Sequence, residues 1–222
     1  MARRREKSSN DAQEKVVRHP LLVYYNLGKR YRSPGILFIL LGMLSFLPFF
    51  IEDLENDLID PNTAAGVGAV LILVGLAFVL FARLAMRRSY VQCMPDLMLV
   101  RTPFYSALVS YRRIKQSQSV QVSQIYPKES LKGIGKPLMR PLLAMTAVEV
   151  LVSSWPVPKK KLQRYLSKYL FSARSEAWLF IVPNYAALNR QLDSAIGRQM
   201  DERKGTSSGY LDPFERLKLQ QK

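Results

Sequence analysis

The chain has 222 residues and a formal net charge of +16, from 33 Lys and Arg against 17 Asp and Glu. One cysteine, Cys93, excludes an internal disulfide and a cysteine cluster for zinc, and one histidine, His19, leaves little material for metal, Ser-His or Cys-His catalysis. So basic a protein is expected to meet an anionic partner, either nucleic acid or an acidic membrane face. We predict that Cys93 packs as a small hydrophobe in a strand.

The basic N-terminal segment, residues 1–32, is predicted to be juxtamembrane. Residues 1–15 are polar and charged, which is typical of disorder. The residues from 18 to 35 mix Leu and Tyr with Lys and Arg, a composition that suits the inner headgroup region of a membrane. His19 is expected to face water or the membrane interface.

Two uncharged apolar runs follow, over residues 35–51 and 64–82. The first would be about 25 Å long as a helix, marginal against a hydrocarbon core of about 30 Å, and the second is long enough to span. Neither run has the polar stripe of a helix at the surface of a soluble protein. We therefore predict a transmembrane helical hairpin over residues 33–87. The alternative is a pair of helices buried in a soluble core.

Between the runs lies the acidic stretch FIEDLENDLID, residues 50–60, with five carboxylates and no Lys or Arg. The basic residues fall outside the runs: residues 1–35 carry 9 basic and 3 acidic side chains, and residues 83–222 carry 24 and 9. Lys and Arg flanks stay in the cytoplasm, so we predict a multi-pass protein of the cell membrane with both termini cytoplasmic. The carboxylate spacing does not match a calcium-binding EF-hand loop, and a solvated outer turn is expected instead.

After residue 88 the pattern changes to short strands and then a helix. In the segment 146–152, Val148, Val150 and Val152 alternate with residues that include Glu149, which is expected to point outward. A helix after Pro183 places Leu188, Leu192 and Ile196 on one face. The predicted strands cover residues 89–94, 97–104, 107–114, 119–126, 146–152 and 178–182.

A helical hairpin, then YVQCMPDLMLVRTPFYSALVSYRRIKQSQSV, then WLFIVPNYAALNRQL resembles bacterial membrane proteins with a pleckstrin-homology-like domain. The resemblance covers roughly residues 30–200, and Ile114 and Gln118 lie where such domains turn from their third strand into the fourth. It implies an α+β membrane protein, with a two-helix transmembrane hairpin and an antiparallel β domain closed by a C-terminal helix. The domain would cover residues 88–200, followed by a flexible tail over 201–222. The resemblance implies no catalytic residues to carry over, and many members of the family have no established ligand.

Two segments depart from this pattern. Residues 126–144 are long and rich in Gly, Pro and Lys for a connection between strands, and form a basic insertion that could be flexible or membrane-facing. In residues 156–171, Leu162, Tyr165, Leu166, Tyr169 and Leu170 recur at helical spacing. We predict an inserted amphipathic helix. Packing of this segment on the core, or as a strand of the sheet, is favoured over a helix that lies flat on the membrane.

The basic side chains of the domain are candidates for contact with acidic headgroups or a protein partner. The alternative is that they are solvated charges that keep the domain soluble. The candidates are Arg112, Arg113, Lys115, Lys159, Lys160, Lys161 and Arg164.

The favoured function is a non-enzymatic, membrane-anchored scaffold or binding module without metal or cofactor. An accessory subunit of a larger membrane complex is the main alternative. A lipid-acting enzyme is a weaker one, because the sequence has no nucleophile elbow, catalytic carboxylate pair or phosphate-binding glycine loop. Nucleic-acid binding is disfavoured, since membrane tethering explains the same charge more simply.

Overall fold

The computed structural model describes residues 17–47, 61–133 and 135–208. This part of the chain is a mixed α+β structure with antiparallel sheets. Short 3-10 turns lie at Tyr111–Arg113, Lys128–Ser130, Arg140–Leu142 and Lys168–Leu170. The helices and strands are β1 (Arg18–Pro20), α1 (Leu22–Leu44), α2 (Pro61–Arg88), β2 (Tyr90–Cys93), β3 (Leu97–Arg101), β4 (Ser106–Ser110), β5 (Ile114–Gln121), α3 (Val122–Ile125), α4 (Gly135–Met139), β6 (Thr146–Val152), α5 (Lys159–Tyr165), β7 (Ala177–Phe180) and α6 (Tyr185–Ser208).

Two sheets are formed, in the orders β1-β2-β3-β4 and β5-β6-β7, with antiparallel neighbours throughout. Strand β1 precedes the helix pair in the chain, yet it pairs with β2, which follows the pair, with His19 opposite Val91. Helix α1 begins two residues after β1 and α2 ends two residues before β2. The helix pair is therefore inserted between two neighbouring strands of one sheet.

One buried apolar cluster joins both sheets to α6. Met98 and Val100 come from the first sheet, and Val150 and Trp178 from the second. Leu188, Leu192 and Ile196 of α6 are buried in it, which confirms the face predicted for this helix. Helix α6 continues to Ser208, into the segment predicted to be a flexible tail.

A second buried cluster joins the β5-β6-β7 sheet to the insertion over residues 126–144. Leu179 lies on the sheet, Leu138 and Met139 belong to α4, and Val23 belongs to the first turn of α1. The segment predicted as an irregular basic insertion thus has a packed apolar side, and it rests against the base of α1.

The structure corrects the prediction for His19. Its ring is buried in β1 and its Nε2 lies 3.0 Å from Oε1 of Gln191 in α6, so it faces neither water nor the membrane interface. The sequence pattern missed β1 because three residues ending in proline carry no periodic signal. Cys93 is half-buried in β2 and packs against the first cluster, as predicted.

Glu149 is also buried, although it was predicted to point outward. Burial opposes its ionisation, but hydrogen bonds from Ser172, Ser175 and Gln118 outweigh burial and hold the pKa of this carboxyl below its usual value. Ser175 Oγ lies 2.5 Å and Gln118 Nε2 2.7 Å from its carboxylate oxygens. The segment that leads into β7 covers this face of the sheet, which periodicity within β6 does not reveal.

Other boundaries also differ. The fourth predicted strand is β5, which begins at Ile114 and ends at Gln121, so Val122 to Ile125 are helical and not extended. Helix α1 begins at Leu22, well before the apolar run at residue 35. The predicted helix over 156–171 is α5 followed by a 3-10 turn. Residues 1–16 and the acidic stretch over 50–60 lie outside the described residues.

Candidate functional site

Helices α1 and α2 pack against each other in antiparallel directions along a line of small residues. A Cβ added at Gly75 would lie 2.6 Å from the carbonyl oxygen of Gly35, and one at Gly42 would lie 2.7 Å from that of Gly68. A Cβ at Gly28 would lie 2.7 Å from the carbonyl oxygen of Ala82. The small residues recur every seven positions on both helices, which lets the two backbones touch along their length.

The outer surfaces of this helix pair are apolar and exposed. Among the described residues, one helix, Asn62–Arg88, is long and apolar enough to cross a membrane, and only 11% of its most apolar window is buried. A helix in the core of a soluble protein would be mostly buried. Large apolar side chains more than half exposed are Leu37, Leu40, Met43 and Leu44 on α1 and Val67, Val70, Leu73, Leu76 and Leu80 on α2.

The base of the helix pair is fixed to the β domain by direct bonds. The N–H of Leu21 donates to Ser89 O at 3.1 Å, and that of Leu22 donates to Ile181 O at 2.9 Å. One turn into α1, the buried Tyr24 hydroxyl accepts a hydrogen bond from the N–H of Ser167 at 2.9 Å. The domain therefore has a defined orientation relative to the helix axes.

Aromatic rings surround the helix pair near this base. Tyr31 stacks on Phe78 with centroids 5.7 Å apart and meets Phe81 edge-on at 5.6 Å. Phe104, at the β3–β4 turn, stacks on Phe81 at 5.7 Å and remains 72% exposed. The turn is closed by Thr102, whose N–H donates to Tyr105 O at 2.8 Å. A loop of the domain thus reaches up the helix pair to the depth of Tyr31.

The structure brings two of the predicted basic residues together at Trp155. Arg113 Nη1 donates to Trp155 O at 2.9 Å, and Lys159 Nζ lies 5.4 Å from the centroid of the indole ring. Lys159 also forms an ion pair with Glu176 at 3.1 Å. Hydrogen bonds from Trp155 and Lys159 hold the pKa of Glu176 below its usual value. These two cations already have internal partners, which weakens their candidacy for an external ligand.

The other predicted basic residues are exposed. Lys160, Lys161 and Arg164 lie on α5, and Arg112 and Lys115 flank the start of β5. Leu162 is buried and Leu166, Tyr169 and Leu170 follow it into the core, so α5 is a core-packing helix, as favoured from the sequence. Tyr165 is the exception, being 47% exposed and stacked on Tyr105 beside the aromatic base.

A basic cleft that sequence reasoning did not single out lies in the insertion. Its volume is about 450 Å³, and its lining includes Lys128, Lys136 and Arg140 with Glu129. The apolar part of the lining is Leu131 and Leu143. The one available signal was the basic composition of the insertion over residues 126–144.

Within the described ranges no group of three His, Cys, Asp or Glu side chains is placed to hold a metal ion. The arrangement consists of an exposed apolar helix pair, an aromatic base and basic side chains around a β domain. No family model matches the chain, and neither a curated protein nor a solved structure matches it.

Proposed function

We propose that the chain is a non-enzymatic, membrane-anchored scaffold or binding module, which holds a basic pleckstrin-homology-like domain at the inner leaflet for lipid or protein partners. The observation that carries the proposal is the exposed apolar surface of α1 and α2. An apolar surface of this extent would drive association in water and is stable in lipid. The antiparallel strands followed by α6 support the pleckstrin-homology-like part of the proposal.

In this proposal both helices cross the bilayer, with the helix ends at Leu22 and Arg88 in the cytoplasm. The basic residues around this end support the orientation, because Lys and Arg are retained inside. They are Arg18, Lys29, Arg30, Arg32, Arg83, Arg87 and Arg88.

The dimensions of α1 support a domain within reach of the headgroups. The stretch from Leu22 to Arg32 spans about 15 Å of helix, so the base of α1 lies about that far from the hydrocarbon edge. Phe104, at the depth of Tyr31, would enter the interfacial layer that aromatic side chains prefer. The exposed cations of α5 would act through the field of the acidic leaflet, which decays over about 8 Å.

Topology can be tested with single cysteines in a Cys93→Ser background. A cysteine at Asn56 should react with an impermeant thiol reagent in intact cells, and one at Ser207 should react only after the cells are opened. The reverse pattern would reject the proposed orientation, and labelling of both in intact cells would reject membrane crossing.

Surface binding can be tested with the full chain in mild detergent, incubated with acidic or neutral liposomes. Each basic residue near an anionic surface contributes about 1 kcal/mol, so changing Lys160, Lys161 and Arg164 to Gln should weaken association with acidic liposomes by about 3 kcal/mol or less. Added salt should have the same effect on the unmodified chain. Unchanged association in the triple variant would assign these charges to solubility alone.

An accessory-subunit role is the second candidate, favoured by an apolar groove of about 500 Å³ between the helices. Its lining includes Leu27, Tyr31, Val74, Phe78 and Phe81. Purification in mild detergent separates the two functions. A subunit should elute with a stoichiometric membrane partner, whereas a free-standing module should elute alone.

A further inference from the structure

The basic cleft of the insertion has a charge pattern that its own residues do not balance. Lys128, Lys136 and Arg140 face a single carboxylate, that of Glu129. Among the described residues, one ion pair closer than 4.0 Å is formed, between Lys159 and Glu176. None of the three cleft cations makes a side-chain hydrogen bond to another described residue. Three cations against one anion leave an excess positive charge next to apolar side chains, an arrangement that favours an anion with an apolar portion.

The segment that carries the cleft is packed against the rest of the domain. The backbone of Gly135, at the start of α4, passes so close to the Tyr169 hydroxyl that no Cβ fits between them. Tyr126 donates to the carbonyl oxygens of Lys168 and Phe171, at 3.1 and 2.5 Å. Burial, with Tyr169 beside it, raises the pKa of Tyr126 to about 12, so the hydroxyl stays a donor at neutral pH. These contacts hold the segment that carries the cleft against the domain.

The position of the cleft relative to the helix pair suggests where the anion comes from. Leu138 and Met139 of α4 share a buried cluster with Val23 in the first turn of α1, and Leu27 packs at its edge. Leu131 and Leu143, which line the cleft, belong to the same cluster and are 7% and 5% exposed. The cleft thus stands beside the helix that leads into the membrane.

We propose that this cleft binds the phosphate headgroup of an anionic lipid of the inner leaflet. Arg140 offers a planar pair of donors to the phosphate oxygens, and Lys128 and Lys136 add point charges. The exposed edges of Leu131 and Leu143 contact the apolar part of the lipid next to the phosphate. The identification of the anion as a membrane lipid rests on the proposed membrane anchoring. The affinity of the cleft for a phosphate ester does not depend on that anchoring.

The test uses the full chain in a neutral detergent, titrated with phosphatidylglycerol or phosphatidylcholine and followed by native mass spectrometry. Phosphatidylglycerol should bind first and in a one-to-one ratio. The double variant Lys136→Gln/Arg140→Gln should lower its affinity about 30-fold, from about 1 kcal/mol for each charge. The matched control Arg101→Gln/Arg190→Gln removes the same charge from exposed positions on β3 and α6, outside the cleft lining, and should change the affinity less than twofold.

A second variant keeps the test valid even if the double variant misfolds, because it is expected to bind the lipid more tightly. Glu129→Gln removes the one anion of the lining and should tighten phosphatidylglycerol binding several-fold. Equal losses in the two double variants would overturn the site in favour of general charge attraction. Equal binding of both lipids would overturn it as well.

Glycerol 3-phosphate distinguishes a lipid from a soluble phosphate ester. It should displace phosphatidylglycerol only at far higher concentration, because it lacks the apolar portion that contacts the leucines. Binding as tight as that of the lipid would overturn the lipid source. These titrations take place in detergent, so their failure is separate from failure of the cysteine-labelling test of membrane topology.

Discussion

Replacing Gly75 with Ala should separate the two long helices. The added Cβ would lie 2.6 Å from Gly35 O, 2.7 Å from Ile39 Cγ1 and 2.9 Å from Ile39 N. Two of these atoms belong to the backbone of α1, so no side-chain rotation relieves the contact, and α1 must move outward by several tenths of an ångström. Overpacking of this kind costs about 1–3 kcal/mol.

A matched control is available on the same helix. At Gly66 an added Cβ meets nothing within 4 Å, so Gly66→Ala should only gain helix propensity, about 1 kcal/mol. Gly75→Ala gains the same helix propensity, but its added Cβ also comes too close to the backbone of α1. The difference between the two variants therefore isolates the packing effect, and Gly75→Ala should be less stable than Gly66→Ala by about 1–3 kcal/mol.

The assay follows helix separation in mixed micelles as the fraction of dodecyl sulfate rises. Donor and acceptor dyes on cysteines introduced at the exposed residues Leu37 and Leu73, in a Cys93→Ser background, report the distance by energy transfer. The energy transfer between the dyes should disappear at a lower fraction of dodecyl sulfate in Gly75→Ala than in Gly66→Ala. Coincident transitions of the two variants would refute close backbone packing of the helices.

Three further predictions concern the β domain, each measured by thermal unfolding of the full chain in detergent. A double-mutant cycle of His19→Ala and Gln191→Ala should give a coupling of about 1 kcal/mol, and additive effects would mean that β1 is not held by this bond. Because the folded pKa of Glu149 is depressed, its stabilising ionisation is present above the unfolded value of 4.5 and is lost as pH falls through the folded pKa. The stability difference between wild type and Glu149→Gln should therefore be largest near neutral pH and vanish in acid, whereas a pH-independent difference would contradict that origin. Leu192→Asp places an unpaired charge in the core and should cost about 4 kcal/mol, whereas the exposed Ser194→Asp on the same helix should change little, and equal melting of the two would exclude a buried face.

The sequence predicted the elements whose signal lies within the element itself. The alternation over residues 146–152 matched the bounds of β6, from Thr146 to Val152, although not the burial of Glu149, and the spacing of Leu188, Leu192 and Ile196 matched the buried face of α6. In both cases the residue types of one short segment indicate the kind of element and its extent, which is what periodicity measures.

What the sequence missed depended on partners far along the chain. The partner of His19 is 172 positions away, and Glu149 is covered by a loop that ends near Glu176. The cleft cations were visible only as members of a basic insertion. Gly28, Gly35 and Gly42 recur every seven residues, but their value emerges only when a second helix presents the matching series.

The insertion of the helix pair between β1 and β2 sets an order on biosynthesis. The ribosome delivers β1 first, and its hydrogen-bonding partner appears only after residues 21–89 have been made. Closing an open loop of that length would cost about 4 kcal/mol in chain entropy. Once α1 and α2 have packed together, their ends already hold the two strands side by side, so most of that cost has been met before the sheet forms. A chain whose helices fail to assemble would leave one edge of β2 unpaired. An unpaired strand edge promotes aggregation and exposes the chain to proteolytic quality control.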